Sequence, residues 1–515
     1  MDASLKSLHK NVMEWLAGPA GSIALHAALI LALIFLVTFA TKEKQDPGVE
    51  VTVVDPEDME LDEEELEEFE PQEIEDIVEQ VEIPEVDVDM PPPDTDFMPD
   101  APMMSEMVEL SLATDISSPI VMEGLKSGEY ANRSGKGRAS AMGAAGQWGQ
   151  AAEAAVSRAL IWLKNNQSPA GSWGVDRKED GSGWKKANNK EVGLTGLGVL
   201  AFMAHGETTS SQEYGETVTR AIQFLVAKQN EKGEFCKIDE NGGETAYSHA
   251  IATYAISEAY GMMKIPDLKP VMTKAVDVLI QGQQGAGGYD YGFKKSTRED
   301  VSLEAWCCQA MQAAKIAGAK NPGLDEAIEK AIAAIKRAYR ADDGSFSYTH
   351  DSGRQNSKHT HNTTAMAVLA MQLTGHGNDK EARDGVSFLN DAKCKWSAPE
   401  PWPMYGWYYI TQVKFHAAKD VWPRWNNQFA PEFIKAQWIE DKNNTLLYGS
   451  WESPGVTAKV QGDFDSGYEN YNRAYATSLA ALSLQVYYRH LQTYQPIEER
   501  QATQKSDDDV SIAIF

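Results

Sequence analysis

Arg158-Ala159-Leu160-Ile161-Trp162-Leu163-Lys164-Asn165-Asn166-Gln167-Ser168-Pro169-Ala170-Gly171-Ser172-Trp173 decides the fold, because the chain repeats it. The same residue types return at the same offsets in Arg220-Ala221, Phe224-Leu225, Gln229, Gly233 and Phe235. They return again in Lys274-Ala275, Val278-Leu279, Gln283, Gly287 and Tyr289. Looser copies end at Phe346, Trp396 and Trp451, so the aromatic endpoints are spaced by 62, 54, 57, 50 and 55 residues. Self-similarity at such a period marks a repeat architecture, in which one unit cannot bury its apolar face alone.

The apolar positions before each Gln recur at helical spacing, which predicts an amphipathic helix. The Gly ends that helix, and the aromatic packs back over the turn. A polar loop follows, then a second helix. These second helices are expected at Val192–Ala204, Thr245–Tyr260, Val301–Ile316, Thr363–Leu373, Tyr405–Ala418 and Tyr475–His490. They are Ala-rich and apolar almost all round, as buried helices are. Six outer and six inner helices in alternation predict an all-α fold, an (α/α)6 toroid of six hairpins over 148–495. The repeats ending at Trp173 and Trp451 are expected to meet and close it.

The Gln-to-Trp pattern resembles the repeat of squalene–hopene and oxidosqualene cyclases, whose toroid is shared with protein prenyltransferase β subunits and complement thioester domains. The resemblance covers Gln150 to Gln495. It implies that Gln and aromatic tie the end of an outer helix to the start of the next inner one.

The bulk charge of −29 belongs mostly to one segment. Between Lys42 and Asp100, 25 acidic residues face Lys42 and Lys44, giving −23 and leaving −6 for everything else. That acidic, Pro-containing composition cannot bury enough apolar surface to fold, so 42–147 is expected to be a flexible linker. No basic stripe points to nucleic acid. Four cysteines are too few for a disulfide scaffold.

Ala20–Ala40 is an apolar run just long enough to span a bilayer as a helix. The sequence therefore predicts a short cytoplasmic N-terminus (1–18), a transmembrane helix (19–41), the linker, the toroid and a C-terminal tail (496–515). Ser22 and His26 share one face of that helix, and an ionisable group in lipid is a functional candidate. Ser-x-x-x-His in a single N-terminal helix resembles the anchor of TonB-type energy transducers. The resemblance implies an ExbB/ExbD-type proton channel as partner, contact with the inner membrane and a periplasmic toroid.

In such a ring the loops entering the inner helices gather at one end, where helix N-termini favour ligands. Trp184, His249, Asp300, His361, Trp407 and Tyr471 are the expected lining of that mouth. Triterpene cyclases carry an acid within Asp-x-Asp-Asp-Thr-Ala. The counterpart here, Thr360-His361-Asn362-Thr363-Thr364-Ala365, lacks every acidic position. No catalytic residue and no cofactor are therefore assigned, and the toroid is read as a binding module for an unknown envelope ligand or protein. The alternative is an enzyme acting on a polyprenyl or glycan substrate. Prenyltransferase-like zinc has only His350, Asp351, His359 and His361 as candidates, and no metal is expected. Complement-type Gly-Cys-Gly-Glu-Gln is absent.

Overall fold

The structure, a computed structural model, describes residues 128–133, 137–138, 141–175, 190–238, 243–351, 354–355, 360–398, 402–417, 420–454 and 472–489. All of them belong to one compact unit, Met103–Phe515. Its outer helices are α1 (Gly149–Asn165), α3 (Gly215–Lys228), α5 (Leu268–Gly282), α7 (Leu324–Arg337), α9 (Lys380–Phe388) and α11 (Val421–Ala436). Its inner helices are α2 (Glu191–Ala204), α4 (Gly243–Met263), α6 (Val301–Ala317), α8 (His361–Leu373), α10 (Pro403–His416) and α12 (Asn472–Leu484). Neighbouring inner helices pack in the order α2, α4, α6, α8, α10, α12 and back to α2. The ring is closed, as the alternating hairpins predict.

The inner helices are buried on every side. All fourteen residues of α2 are buried, including Thr195 and Glu191. The outer helices bury one stripe only, which in α7 is Leu324, Ala327, Ile328, Ala331, Ile332 and Ile335. The expected inner helices are found within a few residues of their predicted ends. The last one ends at Leu484 and is followed by a short turn, α13 (Val486–Arg489), that packs against α10 and α12.

The repeated residues make the joints. Gln167 Nε2 donates to the carbonyl of Gly171 (3.0 Å) and to that of Thr217 on the next outer helix (2.8 Å). Gln229 reaches Gly233 and Val271 in the same way, and Gln283 reaches Gly287 and Ala327. Where it is present the Gln therefore ties an outer helix to the next outer helix, which corrects the expectation that it binds the following inner one. The glycine explains the closeness. Gly287 has φ +106°, and a Cβ there would lie 2.2 Å from the Lys330 carbonyl oxygen of the neighbouring outer helix. Gly171 and Gly233 meet Arg220 and Lys274 likewise.

The aromatic makes the radial tie. Trp173 Nε1 donates to Leu163 O on its own outer helix, and its backbone N–H to Thr195 Oγ1 on the inner helix. The amides of Phe346 and Trp451 find Thr364 and Thr477 in the same register. At the seam Gln437 Nε2 donates to Ala155 O and Gly449 O, both within 2.9 Å, and Arg158 Nε donates to Gln437 Oε1. The first and last repeats thus close the ring by the joint used inside it.

One register position differs. His249 stands where Thr195, Thr364 and Thr477 do, with Nδ1 accepting from Phe235 N–H and Nε2 facing the Ala275 carbonyl. Burial holds its pKa down at about 4, so it is neutral in the fold. The unfolded chain protonates near 6.5, so stability is lost as pH falls from 6.5 towards 4, on the order of 3 kcal/mol from this group. His249→Thr is expected to flatten that acid limb in urea titrations at stepped pH. An unchanged slope would contradict the assignment.

At the N-terminus of α6 lies a small sheet that the sequence did not announce. Strands β1 (Arg298–Asp300), β2 (Thr349–Asp351) and β3 (Arg354–Gln355) pair antiparallel in that order, with Glu299 opposite His350.

Among the described residues no helix is long and apolar enough to cross a membrane. This corrects the expectation of a single-pass inner-membrane protein with a periplasmic toroid. The stretch that carried it, Ala20–Ala40 with Ser22 and His26, lies outside the described residues, as do the tail and the expected linker up to 127. The end of that linker is instead folded, with Gly128–Arg133 and Met142–Trp148 in short helical turns and Arg133 buried on Glu258 at 2.8 Å.

Candidate functional site

β1 sorts three charged residues by the alternation of a strand. Asp300 ends it and caps α6, its carboxylate accepting from the amides of Ser302 and Leu303. Arg298 Nη2 donates to Asp300 Oδ2 at 2.9 Å and its Nη1 to Asp290 Oδ1 at 2.5 Å, so one guanidinium joins two carboxylates. Tyr247 Oη, from α4, donates to Asp300 Oδ1 at 3.2 Å and also meets Ser302 Oγ.

Four half-buried tyrosines surround this ion cluster. The Tyr291 ring lies 6.1 Å from that of Tyr247, and its hydroxyl meets that of Tyr348. Arg298 sits 4.7 Å over the Tyr291 ring. Tyr405, from α10, accepts from Trp306 Nε1 at 2.7 Å. Burial, then the charge of Asp300, pushes the Tyr247 and Tyr348 hydroxyls up, and burial raises Tyr405 most. All remain neutral hydrogen-bonding groups at physiological pH. The cluster draws on α4, α6, α10 and β1 at the end where chains enter the inner ring.

Glu299 is on the opposite face of β1. It accepts from His350 Nδ1 (2.9 Å), from Arg337 (2.8 and 2.9 Å) and from the Gly288 amide (3.0 Å). Glu304, in the first turn of α6, is fully buried beside them. Burial and the charges of Glu299 and Asp300 hold its carboxyl well above the usual range.

The expected lining residues fall in different places. Asp300 is in the tyrosine cluster. His249 is inside the packing between α4 and its outer neighbours. Trp407 is buried against Trp396 and Phe433, with Nε1 donating to Lys393 O. His361 opens α8, faces Phe388 and pairs with Asp391 at 2.9 Å. Trp184 and Tyr471 lie outside the described residues, as does His359. His350 pairs with Glu299 rather than His361, and Asp351 is the backbone register partner of Arg298. The segment standing in for the cyclase acid motif is a helix cap, with Thr360 and Thr363 bonded reciprocally and Thr364 serving the Phe346 amide.

Residues Tyr247, Tyr291, Tyr348 and Tyr405 were not among the chosen lining. Each lies in, or within a few residues of, a loop that enters an inner helix, which is the signal that locates them.

Comparison with known proteins adds to the repeats. Residues 136–245 match the squalene–hopene cyclase C-terminal domain. Squalene–hopene cyclase of Zymomonas mobilis is 23% identical over 309 residues, covering 54% of this chain and 45% of the cyclase. The chain therefore spans less than half of that relative's length. Among solved structures, an α-1,6-mannanase from a Salegentibacter species has a TM-score of 0.46 at 9% identity, covering 67% of this chain and 99% of the mannanase. An unsaturated glucuronyl hydrolase from Bacillus sp. GL1 has a TM-score of 0.46 at 12% identity, with 64% and 96% covered. A type II terpene cyclase from Scytonema has a TM-score of 0.42 at 14% identity, with 66% and 98% covered. The chain folds as an α/α toroid, squalene-cyclase-like in sequence over residues 136–245.

Proposed function

We propose that the toroid is a binding module, and that its tyrosine cluster receives a neutral glycan. The single observation that carries this reading is the set of four half-buried tyrosines around the Asp290–Arg298–Asp300 ion cluster. A sugar ring offers apolar C–H faces and a rim of hydroxyls. Tyrosine answers both, with a flat ring and a neutral phenol, and loses little side-chain entropy on binding. Two carboxylates share one guanidinium in the cluster, a net charge of −1 that disfavours an anionic partner.

The same geometry supports binding over hydrolysis. Glycoside hydrolysis needs one carboxyl as acid and a second as base or nucleophile across the bond. Asp300 is engaged by Arg298, Tyr247 and the α6 cap, and Asp290 by Arg298 and Ser296. Neither is left to carry a proton to a leaving group.

The test is a panel of neutral oligosaccharides titrated calorimetrically into the full chain. At least one is expected to bind, and Tyr247→Phe or Tyr405→Phe to weaken it by about 0.5–1.5 kcal/mol, the worth of one hydrogen bond. Absence of binding across the panel, or affinities untouched by both variants, would overturn the reading.

A further inference from the structure

We propose that Glu304 and His350, with Glu299 behind them, form a site for a divalent transition-metal cation of the zinc class. The β1–β2 register sets Glu299 directly opposite His350, and the Asp300 cap starts α6 so that Glu304 comes up beneath both. Ligand atoms of the three residues lie within 4.8 Å of one another, and all three are buried.

Two of the residues leave side-chain polar atoms unmatched among the described residues. Glu299 Oε2 takes up His350 Nδ1 at 2.9 Å, so the Nδ1 proton faces Glu299 and the Nε2 lone pair is turned the other way. That Nε2 makes no hydrogen bond among the described residues, and neither does either Glu304 oxygen. The Tyr289 amide lies beside the Glu304 carboxyl without closing a full bond to it. Buried polar atoms left unmatched cost free energy, and here two residues leave theirs facing one another.

The separation fits a shared ion. His350 Nε2 and Glu304 Oε1 are 3.9 Å apart, too far for a hydrogen bond. Zinc bonds of about 2.0–2.2 Å at a tetrahedral angle set two ligand atoms about 3.4 Å apart, so an ion would draw these two groups together by only about 0.5 Å. A carboxylate on the far nitrogen of a ligating imidazole is the usual outer partner of such a site, and Glu299 supplies it. Gly288 keeps the space open, since a Cβ there would lie 2.5 Å from an oxygen of both Glu299 and Glu304. Arg337, half-exposed, stays on Glu299 and balances its charge.

The repeats provide the control. Thr195, Thr364 and Thr477 occupy the first or second turn of three other inner helices and accept an aromatic's amide. Glu304 is the carboxylate version of that position beside Tyr289, so Glu304→Thr restores the common joint while removing the ligand.

The experiment uses the full chain, stripped with chelator and titrated with Zn²⁺ against a competing chelating dye. One tight equivalent per chain is expected, with a rise in Tm and, for Co²⁺, a visible ligand-field spectrum. Glu304→Thr and His350→Asn are each expected to weaken that equivalent by more than about 100-fold, and Glu299→Gln by about 10–100-fold. Metal-free Glu304→Thr should melt no lower than the metal-free parent, which shows that it folds. The 25 carboxylates between Lys42 and Asp100 bind cations loosely in every variant, so only the tight equivalent is read. No tight equivalent in the parent, or one retained by both Glu304→Thr and His350→Asn, overturns the site.

Discussion

Trp451→Ala is expected to lower the unfolding free energy by about 3–5 kcal/mol, the usual cost of emptying a buried tryptophan site. Trp451 is fully buried at the seam. Its Nε1 donates to Phe433 O and its amide to Thr477 Oγ1, so it fixes the last outer helix to the last inner one. Substitution there removes packing and leaves the Phe433 carbonyl unmatched. The ring has no free end to absorb the loss, because Gln437 and Arg158 carry the strain to the first repeat. Trp402→Ala is the matched control. Trp402 is half exposed, and its replacement is expected to change stability by well under 1 kcal/mol. Urea unfolding of the three proteins decides it, and equal losses for both variants would mean that Trp451 does not tie α11 to α12.

The second large effect is at Asp300. Asp300→Ala removes the cap of α6, the acceptor for Tyr247 and the inner partner of Arg298. Loss of the cap alone costs about 0.5–2 kcal/mol. The ion pair and phenol contacts bring the expected total to about 2–4 kcal/mol, discounted because Arg298 is partly solvated. Asp300→Asn keeps one acceptor for the cap and should cost less than half of that. Both variants should lose glycan binding, since Arg298 and Tyr247 are then no longer held in place. An Asp300→Asn protein that binds as the parent does would separate the cap from the site and contradict the account.

The repeats were legible because they obey local rules. Gln167, Gly171 and Trp173 recur at fixed offsets, and each serves a joint that the strict repeats share. Ring closure followed from pairing the repeat that ends at Trp173 with the one that ends at Trp451, and Gln437 with Ala155 shows that joint. The direction of the Gln tie was not legible, since its partner carbonyl belongs to a helix 42–50 residues on, as Thr217 and Val271 do. The small sheet was hidden for a similar reason. Arg298-Glu299-Asp300 and Thr349-His350-Asp351 are short and polar, and only their pairing across about 50 residues makes them strands. Of the expected lining, His249 serves packing at a position where other repeats use Thr, and Trp407 packs against Trp396 and Phe433. Aligning the inner helices with one another, beyond the outer ones, would have marked His249 and Glu304 as departures from that register.

The most direct test of the binding account is proton NMR of a neutral oligosaccharide that binds, followed over time with the full chain. The account predicts broadening of the sugar signals, reversed in a Tyr247→Phe, Tyr405→Phe double variant, and a spectrum otherwise constant over hours. New anomeric signals appearing with time would show turnover, and broadening unchanged in the double variant would place the ligand elsewhere. Either result contradicts a glycan-binding module centred on Asp300.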